Sequence, residues 1–430
     1  MKISLINIRL CSLCLVFIII MFSCKQIANS NEGNSLSERD SISILKTGVL
    51  KPMPEKWIDV DTHHKVKKLA QSLPKSRSFY FHNRPFLSSK DTKDDLMVFY
   101  GLKDSINQLF TVNLQSGELQ QITDGPEGKK GEIVAPNTRR VYYMVHNKVY
   151  YTHIDTRQTK LVYEFPDSVI GGVTTINSDE NILGGVLITK KEQEIFNKNP
   201  KKSNYFNSIY EAKLKRTLIT INIESGVMNE IYSENAWLNH VQFSPANPRL
   251  LMYCHEGPWH KVDRIWTIDV TTKEKKLMHK RTMEMEIAGH EFFSPDGKTI
   301  WYDLQIPRGE TFYLAGINTD LTGFRKYGLK RNDWSIHYNI SPDMKSFAGD
   351  GGDEGQVAKA KDGRWIYHFT VKGDSLIAEK LVNMKNHNYD LEPNVHFSPD
   401  GKWIIFRANF EGNSHIYAVE IAKNNISLHQ

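Results

Sequence analysis

A short phrase recurs through the second half of this chain: Phe243-Ser244-Pro245, Phe293-Ser294-Pro295-Asp296-Gly297-Lys298, Ile340-Ser341-Pro342-Asp343-Met344-Lys345 and Phe397-Ser398-Pro399-Asp400-Gly401-Lys402. The copies stand about 50 residues apart, a period suited to β-sheet units repeated around an axis. Proline presets φ and Asp-Gly accepts a tight reversal, so each phrase reads as a turn between neighbouring strands. A β-rich run follows each one: Leu250-Leu251-Met252-Tyr253, Thr299-Ile300-Trp301-Tyr302, Ser346-Phe347-Ala348-Gly349 and Trp403-Ile404-Ile405-Phe406. Degenerate units of the same plan precede them, at Leu96–Asn113, Arg140–Ile154 and Asn181–Asn222. Three early and four late units predict an all-β fold, a seven-bladed β-propeller, with six or eight blades as alternatives. Lys65–Leu69 is expected to add an edge strand to the last blade, joining the chain ends. The polar insertion from Lys190 to Arg216 reads as a loop or a short helix (Ile209 to Leu214) over one face of the ring.

The ends bound the compartment. Lys2 and Arg9 precede an apolar run, Leu13 to Phe22, too short for a comfortable membrane span. It stops at Ser23-Cys24, as in a lipoprotein signal. Residues 1–23 are thus expected to be a signal peptide, 24–50 a flexible tether, and 51–430 a single propeller domain. The expected location is exported and membrane-anchored through Cys24, facing the periplasm or the cell surface. Cys11 and Cys14 fall within the signal, which leaves Cys254 without an intramolecular disulfide partner. The fold must rest on its apolar core, and 40% hydrophobic residues can supply one. A formal charge of +6 without a long basic run argues against nucleic acid as a partner.

Histidine is concentrated where chemistry could be assembled. His240, His290, His337 and His396 each stand within four residues before a Ser-Pro phrase. In equivalent blades they would point imidazoles at a central channel, able to ligate a transition metal or accept a proton. Glu256, Glu291, Glu392, Asp350 and Asp353 are nearby carboxylates, although Asp350-Gly351-Gly352 reads equally well as a tight turn. Arg216, Arg264 and Arg407 could bind a carboxylate bidentately, with Arg264 more simply a strand-edge residue. Trp237, Trp259 and Trp334 could stack on a sugar, but read more simply as core. No G-x-S-x-G elbow, phosphate-binding loop, dinucleotide fingerprint or mature C-x-x-C pair is present.

Asn239-His240-Val241-Gln242-Phe243-Ser244-Pro245, Cys254-His255-Glu256-Gly257-Pro258-Trp259 and Gly289-His290-Glu291-Phe292 resemble the oligogalacturonate lyase family. The similarity extends from Asp59-Val60-Asp61-Thr62-His63 and Ser78-Phe79-Tyr80-Phe81 to Leu391-Glu392-Pro393-Asn394 and Phe406-Arg407-Ala408-Asn409. It implies a seven-bladed propeller that cleaves short galacturonides by β-elimination with a divalent metal, typically manganese. It further implies His240 as general base assisted by Arg216, and His290 and His337 as metal ligands. One motif departs. Where the family has Gln-x-x-His-x-His, this chain has Trp334-Ser335-Ile336-His337-Tyr338-Asn339. Asn339 and His396 are therefore the expected completion of the metal set, and His255, Glu256 and Arg407 the expected substrate contacts.

The reaction follows from uronate chemistry. The C5 proton is only weakly acidic while the adjoining carboxylate is charged. Neutralising that carboxylate stabilises an enolate-like intermediate, a histidine removes the proton, and the 4-O-linked sugar leaves. The partner is then a short oligouronide. Two other readings stay open here: a lyase for another acidic glycan, and a non-catalytic binding propeller of the TolB type.

Overall fold

The computed structural model describes residues 42–423. The expected signal peptide, Cys24 and the first part of the tether lie outside the described residues.

Short antiparallel meanders make up the molecule. One four-stranded sheet contains Lys130–Ala135, Arg140–Val145, Lys148–His153 and Thr159–Glu164. The next contains Ile170–Ile176, Ile182–Ile188, Arg216–Asn222 and Met228–Glu234, and a third Leu238–Phe243, Leu250–His255, Ile265–Asp269 and Lys275–Leu277. Two further meanders, Ile287 to Leu329 and Tyr338 to Asn383, are joined at one edge by the parallel pairing of Gly328 with Ser375. Ser76–Arg77, Phe86–Ser88, Asp95–Lys103, Ile106–Asn113 and Leu119–Gln121 form the first unit of the ring. The result is a β-propeller.

The closing sheet is built from both ends of the chain. His64–Lys68 pairs antiparallel with His415–Lys423, the closure expected for this stretch. It is not the edge, however. Lys56–Asp59 continues the sheet, and Ile44–Leu45 adds to it in parallel. The tether expected to reach residue 50 therefore ends earlier. Asp59 explains why: its buried carboxylate accepts from Thr47 Oγ1 at 2.6 Å, and Thr47 Oγ1 in turn accepts from Trp57 Nε1 at 2.9 Å.

Packing lies between neighbouring sheets. Val98 and Tyr100 of the first unit meet Val134 and Val141 of the second, while Ile133 and Tyr142 on the opposite face meet Leu183 and Ile219 of the third. The inner strands thus bury both faces, while outer strands such as Thr159–Glu164 stay largely exposed. At about 25 cal/mol per Å² of apolar area, these interfaces dominate the stability of the described residues, among which the cysteine Cys254 is free.

The recurring phrase is a hydrogen-bonded device. The Ser294, Ser341 and Ser398 hydroxyls each donate to the aspartate two residues on at 2.6 Å and accept from the amide that starts the next strand. Gly297 and Gly401 take left-handed φ values of 67° and 70°, and Met344 holds φ 60° in the third copy.

The insertion folds as two helices, α1 (Lys190–Lys198) and α2 (Lys202–Ala212), where a loop or a short helix was expected. Thr189 caps α1 by accepting from Glu192 N at 3.2 Å. The Phe206 ring lies 5.3 Å from Trp237, just before the strand that carries His240, and Tyr210 abuts Gly257. The helix pair therefore borders the histidine end of that blade.

Candidate active site

The site is set by a shared register. His240, His290, His337 and Asn394 each stand three residues before the Phe or Ile of a turn phrase. His240 and His290 occupy bulges, between Asn239 and Gln242 and between Gly289 and Phe292, with left-handed φ of 47° and 51°. Asn394 has φ 52°. Such backbone costs roughly 1–3 kcal/mol for a non-glycine residue, and here it re-aims the side chain out of the strand plane. His396 lies two residues out of this register. The expected ring of four histidines is therefore three histidines and an asparagine.

His240 Nε2 lies 3.2 Å from Glu256 Oε2. Glu256 is fully buried, and its other oxygen accepts from Arg264 Nη1 at 2.8 Å and Trp259 Nε1 at 2.9 Å. Arg264 reaches across to the next blade, where its Nε donates to Glu291 Oε2 at 2.9 Å. Burial alone would raise the Glu256 carboxyl, but Arg264 and His240 outweigh it and hold it well below the usual range. This places an ionised carboxylate behind His240. The sequence offered Arg264 as a carboxylate binder but read it more simply as a strand-edge residue, since an isolated Asp263-Arg264-Ile265 does not signal a buried cation.

On the neighbouring blades the His290 and His337 rings lie 4.7 Å apart, and Trp259 packs edge-on against His290 at 5.0 Å. A Cβ on Gly289 would come within 2.6 Å of the Trp259 ring, so this approach requires glycine. Burial, then neighbouring His337, Arg264 and His240, push the His290 imidazole well below its ordinary pKa. Asp350 is no mere turn residue: Oδ1 accepts from His337 N and Oδ2 from His337 Nδ1, each at 2.8 Å. His337 Nε2 accepts from the Tyr80 hydroxyl at 3.2 Å. Tyr80-Phe81-His82 comes from the first unit of the chain and enters this site. The Tyr80 ring is 5.9 Å from His240, and the Phe81 ring 4.6 Å from His337. Only the resemblance, through Ser78-Phe79-Tyr80-Phe81, pointed to this segment.

Other expected residues have different work. Arg216 is buried; its Nε and Nη2 donate to Glu192 of α1, and Nη1 donates to Leu238 O at 2.7 Å. It ties the insertion to the His240 strand. Arg407 donates to Glu392 O at 2.7 Å and Ser78 O at 2.9 Å, bracing the segment that leads into Tyr80. His255 points to Glu234, 3.2 Å away, and packs on Trp266. Asp353 pairs loosely with Arg364. Trp334 is buried and donates to Asp303.

Asn339 and His396 line a cavity of about 490 Å³ at the turn-phrase mouth of the ring, with His82, Pro295 and Pro399; His240, His290 and His337 do not line it. Asn339 spends both ends of its amide, donating to Phe81 O and accepting from Phe397 N, each at 3.2 Å. His396 Nε2 bonds Asn83 O, and burial lowers its pKa to about 4.

A family model described as oligogalacturonate lyase matches residues 54–425. This chain belongs to the oligogalacturonate lyase family. The members of that family are carbon–oxygen lyases. Among curated relatives, an oligogalacturonide lyase of Pectobacterium atrosepticum is 24% identical over 362 residues, spanning 80% of this chain and 89% of the relative. An oligogalacturonate lyase of Dickeya dadantii is 24% identical over 363 residues with the same shares. A solved oligogalacturonate lyase in complex with manganese superposes with a TM-score of 0.72 at 21% identity, covering 86% of this chain and 96% of that one. The oligogalacturonate lyase of Vibrio parahaemolyticus gives the same TM-score at 22% identity, covering 86% and 97%.

Against the ligand set implied for an oligogalacturonate lyase, this donor set is incomplete. His290 and His337 adjoin. Trp334 has no lone pair for a metal, Asn339 is committed and His396 stands at the other mouth, and Tyr80 occupies the free nitrogen of His337. Among the described residues, the group of histidine, cysteine and carboxylate atoms close enough for shared ligation is His240, Cys254 and Glu256. That group contains the expected base.

Proposed function

We propose that this protein cleaves short galacturonides by β-elimination, with His240 as the base. The carrying observation is the His240–Glu256 pair, placed by a strained bulge at the mouth of the histidine ring. His240 takes the C5 proton, and the Glu256 carboxylate stabilises the imidazolium that forms. Arg216 acts by positioning the strand of His240. Manganese belongs to the solved relative; the four-residue set expected here does not converge, and no step above passes through a metal. The Ser23-Cys24 pattern supports export and lipid anchoring, which radiolabelled palmitate incorporation into the wild type, lost in Cys24→Ala, would test.

Protein lacking residues 1–24 is offered di- and trigalacturonate and a panel of other acidic glycans, with and without Mn²⁺. Ultraviolet absorbance of a 4,5-unsaturated product from the galacturonides is expected. Product from another glycan alone would reassign the substrate, and no product from any of them rejects the lyase reading.

A further inference from the structure

An elimination needs two proton carriers, a base at C5 and an acid at the departing O4. The structure holds a second carboxylate-backed group facing His240. Asp350 and His337 have fully buried side chains, and His337 Nδ1 donates to Asp350 Oδ2 at 2.8 Å. A neutral ring with its proton on Nδ1 leaves Nε2 as an acceptor, and the Tyr80 hydroxyl fills that role at 3.2 Å. The Tyr80 backbone is fixed as tightly. Its N–H donates to Glu132, the next N–H donates to Asn394 Oδ1 at 2.9 Å, and Arg407 holds Ser78 O. Asn394 stands in the register of the three histidines and donates its own N–H to Asp350 Oδ2 at 3.1 Å. The Phe81 amide, through Asn394, and the Tyr80 hydroxyl, through His337, are thereby both tied to Asp350. The Tyr80 ring, half-buried, lies 5.9 Å from the His240 ring at an interplanar angle of 34°.

We propose that Tyr80 is the catalytic proton donor to the leaving oxygen, held in place by the Asp350–His337 pair. The assignment rests on the lyase reading above. It also accounts for the incomplete ligand set, because the His337 nitrogen that a metal would need carries the tyrosine hydroxyl instead. In the step, the C5–H bond breaks and its proton goes to His240. Its electron pair becomes the C4=C5 bond, and the C4–O4 pair leaves on O4. Tyr80 gives its proton to O4, and the phenolate recovers one from the His240 imidazolium. The cycle consumes only substrate.

The test compares two substrates: digalacturonate, and a galacturonide carrying 4-nitrophenoxide at C4, which departs without a proton. Tyr80→Phe should lose about 100-fold or more in kcat on digalacturonate, with KM changed less than about threefold. On the nitrophenoxide compound it should stay within about threefold of wild type. His240→Ala should lose both activities. Equal loss of both activities in Tyr80→Phe, or no loss on digalacturonate, overturns the assignment. If that variant does not fold, the wild type decides. A solvent isotope effect on kcat that is larger for digalacturonate than for the nitrophenoxide compound is expected, and equal effects refute the role. A wild type that turns over neither compound removes the lyase reading, and this assignment with it.

Discussion

Glu256 divides its two oxygens between partners: Oε2 lies 3.2 Å from His240 Nε2, while Oε1 accepts from Arg264 and Trp259. His240, the proposed base, and the buried cation therefore share one carboxylate, and Arg264 passes that tie to Glu291 on the next blade. Loss of a charge here should act on chemistry and on stability together.

Glu256→Gln should lower kcat on galacturonides by about 10- to 100-fold with a smaller change in KM, because the imidazolium loses its counter-charge. It should also cost roughly 3–5 kcal/mol in urea unfolding, as Arg264 is left with one carboxylate in a dry site. The pH dependence has a definite sign. The folded carboxyl is depressed, so its stabilisation is present above the unfolded value and is lost as pH falls through the folded one. Wild type should lose stability on acidification through that window, and the glutamine variant should lose less. Parallel acid limbs in the two proteins would refute the charge assignment.

Asn339 and His396 separate scaffold from site. Asn339→Ala should cost about 1–3 kcal/mol, since Phe81 O and Phe397 N each lose a partner. Neither Asn339→Ala nor His396→Ala should change Mn²⁺ affinity, measured by electron paramagnetic resonance, relative to wild type. A tenfold loss of Mn²⁺ binding in either variant would return that residue to a ligand set.

These contrasts show what could be read from the chain alone. The turn phrases carry their own explanation, because Ser, Asp and Gly bond locally within a few residues. They predicted the propeller and the closing strand. Chain spacing also brought out His240, His290 and His337. It misgrouped His396, because a loose window before each Ser-Pro phrase admits a residue two places out of the register that His240, His290, His337 and Asn394 share. Tyr80 meets His337, and Arg264 meets Glu291, across blades, so no local pattern reveals those contacts; Asp350, weighed from the sequence as a carboxylate or a turn, finds His337 on its own blade. Arg216 and Arg407 looked like substrate clamps because an arginine's partner cannot be read from its neighbours.

Asp303 is a buried carboxyl that the chemistry does not use. Burial pushes it up to about 7, against hydrogen bonds from Gln305 and Trp334. Its folded pKa lies above the unfolded 3.8, so the native state binds more protons between those values. Raising pH from 4 to 7 should therefore remove stability, up to about 4 kcal/mol from this group. Asp303→Asn keeps an oxygen for the Trp334 N–H and loses the acceptor of Gln305, a cost of about 1 kcal/mol. Urea midpoints at pH 5 and pH 8 should differ less in the variant than in wild type, with the variant the more stable protein at pH 8. Identical shifts in the two proteins would mean that Asp303 does not titrate in this range.

The third turn phrase predicts a stabilising substitution. Met344 holds φ 60° at the position where the second and fourth phrases place Gly297 and Gly401, and its side chain is exposed. A left-handed conformation costs a side-chain-bearing residue roughly 1–2 kcal/mol, which glycine does not incur. Glycine also adds entropy to the unfolded chain, worth about 0.4–1 kcal/mol in the opposite direction. The first term is the larger, and no buried contact is lost with the methionine. Met344→Gly should therefore stabilise the fold by up to about 1 kcal/mol, read as a higher urea midpoint at unchanged slope. The turn lies at the opposite end of its inner strand from His337, so kcat on galacturonides should be unchanged. A lower midpoint would show that Met344 contributes packing that its exposure conceals.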